Sequence, residues 1–205
     1  MKNLFNTIII LTLLFSCGET VKKTEDRAEN LTEIDPQNKE KTVANRGDNT
    51  TYLCKINGED WGYTSADGLV SRNSSTNIRT ATITFIKKLE KGSESIQLEY
   101  NVDANTLTRV LAELKRPDKD GNLFTNFYNQ SADRLERNPE ASMSGAVTLS
   151  EDQRIAAGNA LFTVQNDFEK DKLGNKGDLL ITVSDLNFSS VSYSDADDLK
   201  KLFKK

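Results

Sequence analysis

Ser95-Ile96-Gln97-Leu98-Glu99-Tyr100-Asn101-Val102 places an apolar residue at every second position, and this stretch decides the fold class. Successive side chains of a strand point to opposite faces, so Ile96, Leu98, Tyr100 and Val102 share one face and Gln97, Glu99 and Asn101 the other. Upstream, Ile78 to Lys87 repeats the pattern, with Ala81, Ile83 and Phe85 against Thr80, Thr82 and Thr84. Lys91-Gly92-Ser93 turns the chain between these two segments. Downstream, Leu107, Val110, Leu111 and Leu114 fit a helical stripe, while Val110, Ala112 and Leu114 fit a strand face. The strand is favoured because Pro117-Asp118-Lys119-Asp120-Gly121-Asn122 is a hairpin turn that leads into the aromatic-rich run Leu123 to Tyr128.

Working outward, Tyr52-Leu53-Cys54-Lys55-Ile56, the turn signal Asn57-Gly58 and Trp61-Gly62-Tyr63 form an opening hairpin. Ser71 to Asn77 is a loop, and the polar run Ser131 to Met143, with Pro139, is a longer one with a short helical turn around Asp133 to Arg137. Gly145 to Leu149, Ala160 to Val164, Leu179 to Val183 and Leu186 to Tyr193 are short β-prone runs. They are separated by Gly158-Asn159, the charged loop Asn166 to Asp178 and a break at Ser184-Asp185. Ser194 caps a terminal helix over 195–205 that carries Asp195 and Asp197 in its first turn. The expected fold is mainly all-β, an antiparallel β-sandwich or partly open barrel with a short C-terminal helix, filling residues 51–205.

Ahead of this domain, Lys2 and the apolar run Leu4 to Phe15 have the organisation of a signal peptide. The apolar run is about a dozen residues, short of the roughly 20 that a membrane-spanning helix needs. It closes on Leu14-Phe15-Ser16-Cys17, which resembles the bacterial lipobox. That resemblance implies a leader of residues 1–16, a diacylglycerol thioether on Cys17 and further acylation, palmitate among the chains, at the new amino terminus. This covalent lipid is the one prosthetic group expected, and two or more chains suffice for stable membrane anchoring. Gly18, in place of the aspartate associated with inner-membrane retention, favours the outer membrane of the cell envelope, with either face open. Residues 17–50 are rich in Glu, Lys, Asp, Thr and Asn without a clear apolar period, so they read as a disordered tether. Together with the leader, Cys54-Lys55-Ile56-Asn57-Gly58-Glu59-Asp60-Trp61 resembles the domain opening of small Bacteroidota lipoproteins of unknown function; the resemblance implies a β-rich domain and no known activity.

The net charge of −4 has its signs interspersed, which argues against nucleic acid as a partner. The sequence contains no histidine, so it lacks the usual general base, the Ser-His-Asp and Cys-His arrangements and the commonest metal ligand. Cys54, alternating with Tyr52 and Ile56, reads as a buried free thiol. Asp118, Asp120 and Asn122 alternate oxygen donors like the start of a calcium loop, but the sixth and twelfth positions are Leu123 and Asn129 instead of glycine and glutamate, so a hairpin turn is the stronger reading. Trp61 and Tyr63 reach one face two residues apart, as core or as a stacking platform, and Phe127 is a third aromatic candidate for ligand binding. The function expected is a non-catalytic binding or assembly module for a protein or glycan partner, held to the membrane by its lipid. A lipocalin-like carrier with a cavity behind Ile96, Leu98 and Tyr100, or a carboxylate-dependent hydrolase, are the alternatives.

Overall fold

The structure, a computed structural model, describes residues 50–166 and 168–198. The expected leader, Cys17, the expected tether as far as residue 49 and positions 199–205 of the expected terminal helix lie outside the described residues. Ten strands follow one another: β1 (Thr51–Ile56), β2 (Glu59–Tyr63), β3 (Ser65–Arg72), β4 (Arg79–Lys88), β5 (Ser93–Asn101), β6 (Thr106–Pro117), β7 (Leu123–Ser131), β8 (Ser142–Ser150), β9 (Ile155–Gln165) and β10 (Leu180–Asp195). A 3-10 turn, Ala132–Arg137, joins β7 to β8.

The strands run in the order β2-β1-β10-β3-β4-β5-β6-β7, and β9 and β8 branch from the other side of β10. Along one edge β10 pairs with β9; along the other it meets β1 near Val183 and Ser184, then β3 at Tyr193 to Asp195. The sheet is open, because β2, β7 and β8 each pair with a single strand. It nevertheless folds over on itself, bringing β6 against β8, β2 against β4 and β7 against β9. The all-β fold is as expected, but the sheet is mixed: β3 and β10 are parallel.

Between the two layers, Ile83, Phe85, Ile96, Leu98, Tyr100, Val110, Ala112 and Leu114 pack with Phe162, Val164, Ile181, Val183, Leu186 and Phe188. Burying each large aliphatic or aromatic side chain contributes about 1.5–3 kcal/mol. Tyr63, Phe85, Phe188 and Tyr100 form a chain of rings, edge-to-face at the first two contacts and tilted at the third, with centroids 5.2, 5.5 and 6.5 Å apart. Tyr100 also donates its hydroxyl to Asn159 O at 2.9 Å, satisfying its one polar atom within the core.

Three boundaries differ from the sequence reading. Gly158-Asn159 lies inside β9 and is no separator: Gly158 has no Cβ because Ala146 O and the Phe188 ring would stand 2.5 and 2.8 Å from one. Ser184-Asp185 is a bulge within the single strand β10, with Asp185 at φ 57°. The segment Ser65–Arg72, which has no clean alternation, is nonetheless β3; at Gly68 a Cβ would meet Tyr193 Cβ at 2.8 Å. At the C-terminus, residues 196–198 begin a helix, and its cap is Asp195 instead of Ser194, accepting from Asp197 N at 2.9 Å.

Candidate functional site

β7 inverts the usual strand arithmetic. Its inward positions are Asn126, Tyr128 and Gln130, all buried, while Phe127 faces out and is 49% exposed. The buried amides are satisfied. Asn126 Oδ1 accepts from Asn166 Nδ2 at 3.3 Å, Gln130 Oε1 accepts from Asn138 Nδ2 at 3.3 Å, and the Tyr128 hydroxyl donates to Asp178 O at 2.6 Å. Burial pushes the Tyr128 phenol up to about 12.

These bonds fix the walls of a groove of about 550 Å³ along β7. Phe127 and Leu111 form its apolar floor beside Asn129, and Gln130 reaches it from the inner face. Arg134, Arg137 and Asn138 of the 3-10 turn make one bank; Gln165 at the end of β9 and Phe168 make the other. Phe168 is 97% exposed, and its backbone is pinned: Asn166, itself buried, accepts from Phe168 N at 3.1 Å and Glu169 N at 3.2 Å. Arg79, Arg116 and Arg154 each sit within ion-pair distance of carboxylates, Arg72 lies 3.9 Å from Asp103, and Arg109 donates to Asn129 Oδ1. Arg134 and Arg137 form no salt bridge and no side-chain hydrogen bond among the described residues, the nearby Asp133 feeling their charge only at longer range, and no carboxylate lines the groove. The arrangement offers two guanidinium forks outside any salt bridge, two exposed phenyl rings and a row of side-chain amides, which suits an anionic group attached to an apolar body.

The three aromatic candidates therefore part company. Phe127 is in the groove. Trp61, read as core or as a stacking platform, is core, which corrects its place among the ligand-binding candidates: it is 5% exposed and donates Nε1–H to Glu94 Oε2 at 2.9 Å. Glu94 in turn accepts from Lys115 N at 3.0 Å, so this buried carboxylate joins β2 to β5 and β6. Tyr63 is half-buried, packed edge-to-face against Phe85, and lies outside the groove. Of the groove residues, Arg134 and Arg137 were read only as a helical turn and Phe168 only as part of a charged loop. The apolar Phe168 among charges was the signal available for it.

The oxygen-rich turn is fully used by the hairpin. Asp118 Oδ1 accepts from Asp120 N at 2.9 Å and Asn122 N at 2.7 Å, and Oδ2 accepts from Asn122 Nδ2 at 3.3 Å. The backbone bond from Asn122 leads in holding the Asp118 carboxyl below its usual range. Gly121 supplies the positive φ of 83°. Among the described residues no three acidic or cysteine side chains gather as a metal group. The loop after Asn166 is not simply solvated: Leu173 is buried and bridges Asp118, and Gly174 N donates to Pro117 O at 3.0 Å. Cys54 is buried and free, its thiol pushed up to about 12 by burial, which keeps it protonated and unreactive. No helix among the described residues is long and apolar enough to cross a membrane. No family model, curated protein or solved structure matches this chain, so the site is read from its own geometry.

Proposed function

We propose that the protein is a lipoprotein of the cell envelope, anchored through Cys17 to the outer membrane, whose β domain is a non-catalytic binding or assembly module acting through the Phe127 groove. The anchor rests on Lys2, the apolar run Leu4 to Phe15 and the lipobox-like Leu14-Phe15-Ser16-Cys17. The resemblance of Cys54 to Trp61 to Bacteroidota-type lipoproteins points the same way. The binding role is carried by one observation: Arg134 and Arg137, outside every salt bridge among the described residues, converge with exposed Phe127 and Phe168 on one groove. Unpaired guanidinium groups beside exposed rings gain little by folding and much by meeting a ligand. Neither alternative has a comparable support. Ile96, Leu98 and Tyr100 pack into the core that a carrier would need hollow, and the groove holds no acid for hydrolysis.

The test uses the full chain in its own envelope. A fatty-acid analogue should label the wild type and not Cys17→Ser. A photoreactive phenylalanine at position 127 should give a discrete adduct that disappears when Arg134 and Arg137 are changed to glutamate, whereas the same probe at exposed Leu69 should not. Persistent labelling of Cys17→Ser would overturn the anchor. Adducts that are absent at 127, or indifferent to the arginines, would overturn the groove as the binding face.

A further inference from the structure

The groove does more than expose side chains: it runs over the free edge of a strand. Asp118 N donates to Asn122 O at 2.8 Å, so this pair is a hydrogen-bonded rung at the foot of the β6–β7 hairpin. The register then continues without a shift from Pro117↔Leu123 to Arg109↔Ser131. Hydrogen-bonded and non-bonded rungs alternate in an antiparallel pair. Arg116↔Phe124, Leu114↔Asn126, Ala112↔Tyr128 and Val110↔Gln130 are therefore the bonded rungs, and Pro117, which has no N–H, falls on a non-bonded one. It follows that the N–H and C=O groups of Thr125, Phe127 and Asn129 point away from β6. β7 pairs with no other strand, and no further backbone bond reaches these three residues among the described ones.

The groove lining has the shape this predicts. It takes Phe127 and Asn129 from the outer face of β7 and Gln130 from the inner face, so it wraps the edge itself, between the 3-10 turn and Gln165. An exposed row of backbone donors and acceptors is a template for another strand, and natural sheets blunt such edges with lysine, proline or bulges. β7 carries none of these. The charged side chains that line the groove beside it are instead Arg134 and Arg137, neither in a salt bridge among the described residues.

We propose that the open edge of β7 is a docking strand for an extended, acidic segment of a partner polypeptide. This deepens the groove reading above and rests on it. The segment adds beside Thr125–Asn129 through backbone hydrogen bonds, sets alternate side chains on Phe127 and Leu111, and places carboxylates on Arg134 and Arg137. A peptide is favoured over a glycan or lipid headgroup because only a polypeptide answers a row of alternating amide donors and acceptors.

The experiment titrates the purified full chain with a blocked peptide of glutamate alternating with valine and phenylalanine, and with its lysine counterpart. The acidic peptide should bind and the lysine peptide should not. Changing Arg134 and Arg137 to glutamate should weaken binding at least about tenfold. Asn129→Pro removes an edge N–H without touching the β6 ladder and should weaken binding about tenfold beyond Asn129→Ala, which loses the same side chain but keeps that N–H. In the wild type, the amide protons of Phe127 and Asn129 should exchange more slowly once peptide is added, a reading that needs no variant. If the arginine variant loses binding but Asn129→Pro does not and these amides stay unprotected, strand addition is wrong and the groove reading survives. If the acidic peptide fails to bind, or binds equally with the arginines reversed, both fall. Protection of these amides before peptide is added, whether it depends on protein concentration or on residues 18–49, would assign the edge to a second copy or to the tether and overturn the partner.

Discussion

At the residue scale, the indole N–H of Trp61 ends on a buried carboxylate that three other groups also approach, so the ring is fastened at its rim as well as packed on its faces. Trp61→Ala should cost about 3–5 kcal/mol of stability through the lost packing. Trp61→Phe keeps most of the area but leaves Glu94 short of a donor, which should cost about 1–3 kcal/mol. Urea unfolding of the full chain reads both, and an unchanged midpoint for either would contradict the account. The role of Trp61 was only half legible in the sequence. Its place beside Asn57-Gly58 revealed the hairpin, but Glu94 lies 33 positions away on a strand that is not its ladder neighbour. Phe127 was half legible for a different reason. It stands out as an aromatic candidate, but its outward direction was not legible: in β7 the polar residues Asn126 and Gln130 face inward, against the ordinary rule of apolar in, polar out.

At the scale of elements, the Asn57-Gly58 turn does two things, of which the sequence signalled one. Both residues have positive φ, 51° and 87°, as a two-residue hairpin turn requires. The asparagine side chain then continues the ladder to the neighbouring strand: its Oδ1 accepts from Thr182 N at 2.8 Å and its Nδ2 donates to Leu180 O at 3.3 Å. Asn57→Gly keeps the turn conformation and removes these bonds, so it should lower stability by about 1–2 kcal/mol in thermal unfolding. A melting point equal to the wild type would show that the bonds to β10 contribute nothing. Strands β4 to β7 were legible because each neighbour in the sheet is the next in sequence and the alternation is local. β3 and the continuity of β9 and β10 were not, because Gly68 and Gly158 are set by Tyr193 and by Phe188 with Ala146 O, contacts that no local window contains.

For the whole molecule, β10 belongs to both halves of the sheet, with its start beside β1 and its end beside β3, so neither half can lose it and remain complete. The far end of β10 is clamped by charge: Arg79 of β4 donates to Glu151 at 2.7 Å and to Asp195 at 2.9 Å, and Arg154 pairs with Asp198 and lies over the Tyr193 ring. The full chain should therefore unfold in one transition, with Trp61 fluorescence from β2 and far-UV dichroism from all strands giving the same urea midpoint. Arg79→Met should lower that midpoint equally at both probes. The loss should also depend on pH in a definite direction. The hydrogen bond from Arg79 holds the Glu151 carboxyl below its ordinary value of 4.5, so folding binds fewer protons there than unfolding does. Its stabilisation is fully present above that value and is lost as pH falls through the lower, folded one. The gap between wild type and Arg79→Met should be constant near neutrality and narrow below about pH 4. Two separated midpoints would break the shared-strand account, and a gap that stays constant into acid would show that the Arg79 clamp does not act through the ionised Glu151.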